Sequence, residues 1–196
     1  MYKPDTKGTK MQPPHPDIAE VVLTPGQIEE IVQALGARIT QDYEDTQPLL
    51  VCILKGASPF MSDLMRSIAL DIDIDFMSVS SYGNATTTSG TVKILKDLDT
   101  PIKDRDVIIV EDIVDSGLTL ARLTAELAKR EPRSIEIATF LLKDVQAPRK
   151  VDIKPRYAGF TIDNRFVVGF GLDYAEKYRN LPYVGVLKRE VYENNK

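Results

Sequence analysis

Apolar side chains recur along this chain at two spacings, and each spacing predicts a different element. Ile28, Ile31, Val32, Leu35 and Ile39 follow the i, i+3, i+4, i+7, i+11 pattern of one helix face. Thr24 stands before them as N-cap, Pro25 takes the first helical position and Gln27 completes a capping box. The run LLVCIL at 49–54 is apolar without interruption, as in a strand buried on both faces. Lys55 and Gly56 follow it, and Ser58 and Pro59 then open a helix with Met61, Leu64, Met65 and Ile68 inward.

The stretch DIDIDFMSVSSY alternates Asp71, Asp73 and Asp75 with Ile72, Ile74 and Phe76. This period of two predicts a strand with one polar face, and the phase slip at Met77 predicts a bulge. GNATTTSG at 83–90 has Ala85 as its one apolar residue and reads as a mobile loop, after which TVKILKDL resumes as a strand. DVIIVED is a second buried strand. GLTLARLTAELAKR is helical through Leu120, Leu123 and Leu127 and stops before Pro132. SIEIATFLL, YAGFTI, FVVGF and YVGVL complete the set of strands. Strands alternating with helices predict an α/β fold, a mostly parallel sheet covered on both faces. Residues 1–17 carry four prolines and little that is apolar, so a mobile tail is expected there and a single domain over 18–196.

The 196 residues suffice for one domain with a real core, since a chain of this size buries roughly 70% of its unfolded surface. No apolar run approaches the roughly 20 residues that span a bilayer, and the start MYKPDTKGTK lacks the apolar centre of a signal peptide. A cytoplasmic protein with no membrane partner is expected. A net charge of -4 argues against a nucleic-acid partner, because such binding draws on a basic surface. The one cysteine, Cys52, reads as a small core residue and excludes an internal disulfide or a thiolate zinc cluster. The one histidine, His15, lies in QPPHP, a segment read as too rich in proline to pack. Triads, Cys-His pairs and histidine-bound zinc are thereby removed. Acid–base chemistry is left to carboxylates, lysines or tyrosines, and any metal would be hard and oxygen-bound, which points to magnesium.

The most informative segment runs from Val107 to Leu120. Ligands of parallel sheets bind at the carboxyl ends of strands, where Glu111 and Asp112 lie. Adjacent carboxylates repel, so they need hydroxyls or a cation, and ribose hydroxyls and magnesium both qualify. Asp115, Ser116, Gly117, Leu118 and Thr119 then turn into the helix, whose first N–H groups favour a phosphate. The combination suits a sugar phosphate. The bland alternative is that Asp112 and Asp115 only cap the helix and complement its dipole.

At these residues the sequence resembles the type I phosphoribosyltransferases, and among them the branch that acts on hypoxanthine and guanine. The resemblance covers Leu23 to Leu187 and includes EDIVDSGLT, LKG at 54–56, SYG at 81–83, VKILKDL at 92–98 and FVVGFGLDYAEKYRNLPYVGVL at 166–187. It implies a mostly parallel twisted sheet flanked by helices, with a small hood made from terminal segments. It implies that Glu111 and Asp112 hold the ribose hydroxyls and, with Asp173, ligate Mg2+. By the same resemblance Asp115 to Thr119 bind the 5′-phosphate, and Asp115 also accepts a proton from purine N7 as the catalytic residue. Lys55, Gly56 and Arg179 match pyrophosphate contacts. Lys143 matches the donor to the purine 6-oxo group, Phe166 the ring that stacks on the base and Val167 the backbone that reads its edge. Ser81 and Tyr82 belong to a flexible loop that closes over the site. Without the resemblance, Phe166 would read as core, Lys143 as a solvated strand-end charge and Arg179 as a surface ion-pair partner. The implied reaction is purine salvage, phosphoribosyl pyrophosphate plus hypoxanthine or guanine giving IMP or GMP and pyrophosphate, in a homodimer or homotetramer. A xanthine- or guanine-preferring relative and a phosphoribosyl-binding regulator are the alternatives.

Overall fold

The computed structural model describes residues 14–80, 93–144, 151 and 153–193. Its centre is the pair of apolar runs, β2 (Leu49–Leu54) and β5 (Asp106–Val114), lying side by side in parallel. Each is flanked on its other edge as well, β2 by β3 (Asp73–Ser80) and β5 by β6 (Ser134–Lys143), both parallel. With β4 (Lys93–Lys96) antiparallel on one edge and β7 (Tyr157–Ile162) parallel on the other, the order is β4-β3-β2-β5-β6-β7.

Successive side chains of the central strands point to opposite faces, and each face meets helices. Leu50, Cys52, Ile108 and Val110 pack with α1 (Pro25–Asp42) and α2 (Ser58–Ser67). Leu49, Val51, Val107 and Ile109 pack with Leu120, Leu123 and Leu127 of α3 (Leu118–Ala128). The capping box of α1 forms as the sequence requires: Gln27 N–H donates to Thr24 Oγ1 at 3.4 Å and Thr24 N–H to Gln27 Oε1 at 3.0 Å. Among the described residues no helix is long and apolar enough to cross a membrane.

Four expectations differ from the structure. In β3 the phase is the reverse of the one expected, for Asp75 is 4% exposed whereas Ile74 is 42% exposed. The buried carboxylate is satisfied by main-chain donors: Phe76 N–H at 2.7 Å, Asp99 N–H at 2.9 Å and Thr100 N–H at 2.8 Å. It thereby ties the 97–100 turn to the sheet. The pairing of β3 with β2 runs through Met77 without a bulge, and the irregularity falls between Ser78 and Val79, opposite β4. FVVGF is strand only at β8 (Val167–Val168), because Gly169, Phe170 and Gly171 all take positive φ and turn the chain.

The fourth concerns the segment around His15. His15 N–H donates to the Tyr183 hydroxyl at 2.8 Å, the Tyr178 hydroxyl to Asp17 Oδ2 at 2.7 Å and Lys188 N–H to Asp17 O at 2.9 Å. His15 and Asp17, just before β1 (Ile18–Leu23), are therefore tied down by hydrogen bonds although Pro14, His15 and Pro16 stay exposed, and residues 1–13 of the expected tail lie outside the described residues. β1 itself was not foreseen, and it joins β9 (Val184–Leu187) and β8 in a second, antiparallel sheet of order β1-β9-β8. A short α4 (Arg189–Glu193) follows β9. This small sheet is the hood of terminal segments that the resemblance implies.

Candidate active site

The β5 strand carries its two acids inside the ladder, since pairing with β6 continues through Glu111↔Thr139 to Val114↔Leu142. Both carboxyls are thus held by regular backbone. Glu111 Oε2 is buried without a hydrogen-bond partner. Burial, and next the neighbouring Asp112, push the Glu111 pKa well above the usual carboxylate range. Burial also raises Asp112, against the Ile113 N–H that its Oδ1 accepts at 2.7 Å and the Arg179 charge, which lower it. Cys52, behind them in the core, is pushed up to about 12 by burial and then by the two acids, so its thiol stays neutral.

The turn after β2 lies against Asp112. A Cβ on Gly56 would stand 1.7 Å from Asp112 Oδ2, so only glycine permits this approach. The Leu54–Lys55 peptide that begins the turn is cis. Beyond Val114, Gly117 adopts φ 73° as N-cap of α3 and has no side chain to cap it, while Leu118 N–H donates to Ser116 Oγ at a long 3.4 Å. Among the described residues neither Asp112 nor Asp115 accepts a hydrogen bond from an α3 N–H. Asp112 serves its own neighbour's N–H, and Asp115 Oδ2 accepts from Lys143 Nζ at 3.1 Å. Exposed helix N–H groups beside hydroxyls are left facing a cleft of about 290 Å³. Gly56, Glu111, Asp112, Asp115, Ser116, Gly117 and Thr119 all line it, whereas Leu118 does not.

Cations gather on a second turn. Lys55 Nζ lies 2.8 Å from Glu176 Oε2, and Arg179 Nη2 lies 3.2 Å from Glu176 Oε1 and 2.7 Å from Asp173 Oδ1. Arg179 Nη1 also donates to Gly171 O at 2.7 Å. Ala175, Glu176 and Tyr178 hold φ of 50°, 64° and 73°, a left-handed conformation costing a non-glycine residue on the order of 1 kcal/mol and concentrated at functional sites. Arg179 and Asp173 both act on the Asp112 charge, which places this turn beside the acids.

Phe166 stands apart from the acidic cleft, half exposed between Arg165 and Val167. Its ring stacks on Tyr192 with centroids 5.1 Å apart and meets Tyr174 edge-on at 5.8 Å. Val167 is buried and pairs with Val186. Ser81 and Tyr82 lie outside the described residues. Sequence reasoning overlooked Glu176, Tyr174 and Tyr192. A carboxylate three residues before Arg179 was a usable signal for Glu176, whereas nothing in REVYE marked Tyr192 as a partner of Phe166.

A parallel sheet whose strand ends present buried acids and an open helix N-terminus, with cations on the adjoining turn, defines a sugar-phosphate-binding α/β protein. The chain belongs to the family described as the phosphoribosyl transferase domain, which matches residues 21–175. The hypoxanthine-guanine phosphoribosyltransferase of Bacillus subtilis (strain 168) is 53% identical over 178 residues, 91% of this chain and 98% of that protein. The enzyme of the same name from Streptococcus thermophilus is 52% identical over 176 residues, 90% of this chain and 97% of that one. The crystal structure of a hypoxanthine phosphoribosyltransferase from Staphylococcus aureus superposes with a TM-score of 0.84 at 49% identity, covering 90% of this chain and 95% of that chain.

Proposed function

We propose that the chain transfers 5-phosphoribosyl from phosphoribosyl pyrophosphate to N9 of hypoxanthine or guanine, releasing pyrophosphate and forming IMP or GMP. The observation that carries this reading is the buried Glu111 Oε2, which has no hydrogen-bond partner among the described residues, beside Asp112 and lining the same cleft as Ser116, Gly117 and Thr119 at the start of α3. Ribose hydroxyls would supply the donors that Glu111 and Asp112 lack, and the 5′-phosphate would take the N–H groups from Ser116 to Thr119. The named relatives favour this reading over the xanthine-preferring and regulatory alternatives.

The donor set also suits Mg2+. Its oxygens are hard, and two of the carboxyls are destabilised as anions by burial. Among the described residues no three such side chains converge into a cage. That agrees with magnesium's habit of using one or two carboxylates and completing its shell with water and substrate phosphate. Glu111, Asp112 and Asp173 are the candidates for those one or two carboxylates, and the ion would supply positive charge toward the leaving pyrophosphate.

The chain's own side chains do the rest. Lys55 and Arg179 exchange Glu176 for the pyrophosphate oxygens, neutralising charge as the bond to the anomeric carbon breaks. Asp115 accepts the N7 proton as N9 bonds to that carbon, and Lys143, held against Asp115, donates to the 6-oxo group. A 6-oxo group accepts there, while the 6-amino group of adenine offers a donor to a donor. Phe166 stacks on the base and the Val167 backbone reads its edge. The setting is the cytoplasm, the assembly a homodimer or homotetramer, and the ligands small molecules rather than nucleic acid or membrane. Purified protein assayed with phosphoribosyl pyrophosphate, magnesium and each purine base should form nucleotide from hypoxanthine and guanine. Equal use of adenine would overturn the assignment.

A further inference from the structure

We propose that Tyr192, in the terminal helix α4, is a positioning residue that backs the Phe166 ring and sets the plane on which a purine stacks. This rests on the reading of Phe166 as the base platform. A platform needs one open face and a fixed tilt, and a lone phenylalanine has neither guaranteed, because its ring torsion lies in a broad well.

The surroundings of Phe166 supply both. Its backbone is held by Leu187 N–H, which donates to Phe166 O at 3.0 Å, and by the adjoining Val167↔Val186 strand pairing. Arg165, on its other side, is tied to Glu20 at 2.8 Å and to Asp163 at 2.6 Å. The ring itself is fixed by two tyrosines. Tyr192 lies over one face at 5.1 Å with 26° between planes, and Tyr174 meets the edge at 5.8 Å and 85°. Tyr174 and Tyr192 touch each other at 6.4 Å and 65°, closing a triangle of rings. Tyr192 and Tyr174 pack with Val191 against Val168, Tyr183 and Leu187, so the backing belongs to the hood's own core. One face is covered and an edge filled, while Phe166 as a residue stays 39% exposed, so the opposite face is the one available to a base. An exposed, oriented, electron-rich ring face is what a flat heteroaromatic base requires.

The test separates base binding from the rest of the reaction. Tyr192→Ala should raise the KM for hypoxanthine roughly 2- to 10-fold, the range of one aromatic pair, while kcat and the KM for phosphoribosyl pyrophosphate keep their wild-type values. Tyr192→Phe keeps the ring and should restore the wild-type KM. Phe166→Ala should raise the same KM, and adding Tyr192→Ala to it should change nothing more. Should the alanine variant fold poorly by its thermal midpoint, Tyr192→Leu, which keeps the bulk and loses the ring, gives the same reading. An unchanged KM in Tyr192→Ala with a raised one in Phe166→Ala overturns the proposal and leaves the platform standing. A lowered KM in Tyr192→Ala also overturns it, since Tyr192 would then be covering the base's face. An unchanged KM in Phe166→Ala removes the platform reading itself.

Discussion

The two charged ends of the site solve the same problem in opposite ways. At the end of β5, Glu111 and Asp112 are half-buried and pushed toward their neutral forms by desolvation, and Glu111 Oε2 has no hydrogen-bond partner among the described residues. Where the Lys55 turn meets the 173–179 turn, Lys55 and Arg179 share the exposed Glu176 carboxylate, and Arg179 also pairs with a half-buried Asp173. A buried, unmet group costs folding free energy that a ligand can return, whereas an exposed pair of ions is worth little and exchanges easily. The acidic end is therefore incomplete without its ligand, while at the cationic end the exposed Lys55–Glu176 pair can exchange for a better anion and Arg179 Nε, also without a hydrogen-bond partner among the described residues, has a donor to offer it.

Breaking the chemistry that joins the two ends should have the largest effect. Asp115→Asn should lower kcat roughly 100- to 10,000-fold in steady-state assays with an unchanged thermal midpoint, because it removes a proton acceptor from an exposed side chain. Gly56→Ala drives a methyl into Asp112 and shifts both ends, so activity should fall roughly a hundredfold and stability by about 1–3 kcal/mol in denaturant titration. Lys143→Met should cost roughly 10- to 100-fold in preference for hypoxanthine over adenine, measured as the ratio of kcat/KM values. The smallest change sharpens the contrast most. Glu176→Gln removes the resident anion, and inorganic pyrophosphate should then bind roughly two- to fivefold more tightly by calorimetry. Weaker binding would mean that Glu176 positions the cations instead of competing for them.

What the sequence showed and what it hid follow from the range of the forces involved. The α1 cap, the helix faces and the doubly buried β2 and β5 are decided by residues within a turn or a strand of one another. The β5 acids and the glycine turn were readable for the same reason. β1 was missed because its partner β9 lies more than 160 residues away and its ladder carries register shifts that blur the alternation. The face of β3 was misread because main-chain donors at Asp99 and Thr100, invisible in a hydropathy pattern, bury Asp75. Lys55 meets Glu176 across 121 positions, and Tyr192 meets Phe166 through a five-residue helix with no apolar period. Long-range pairs of this kind are decided by the fold and leave no local spacing.

The claim that the acidic end awaits its ligand is tested most directly by the thermal midpoint of wild-type protein and Glu111→Gln, followed against pH with and without magnesium and phosphoribosyl pyrophosphate. With its folded pKa raised above the ordinary value of 4.5, Glu111 keeps a proton that the unfolded chain gives up. Its contribution is fully present below that value and is lost as pH rises through the folded pKa. Ligand-free wild type should therefore lose stability over that window, and the glutamine variant should lose less. At neutral pH the variant should melt higher than wild type without ligand and gain less from ligand. A variant that melts lower without ligand, or gains as much from it as wild type does, would contradict the account.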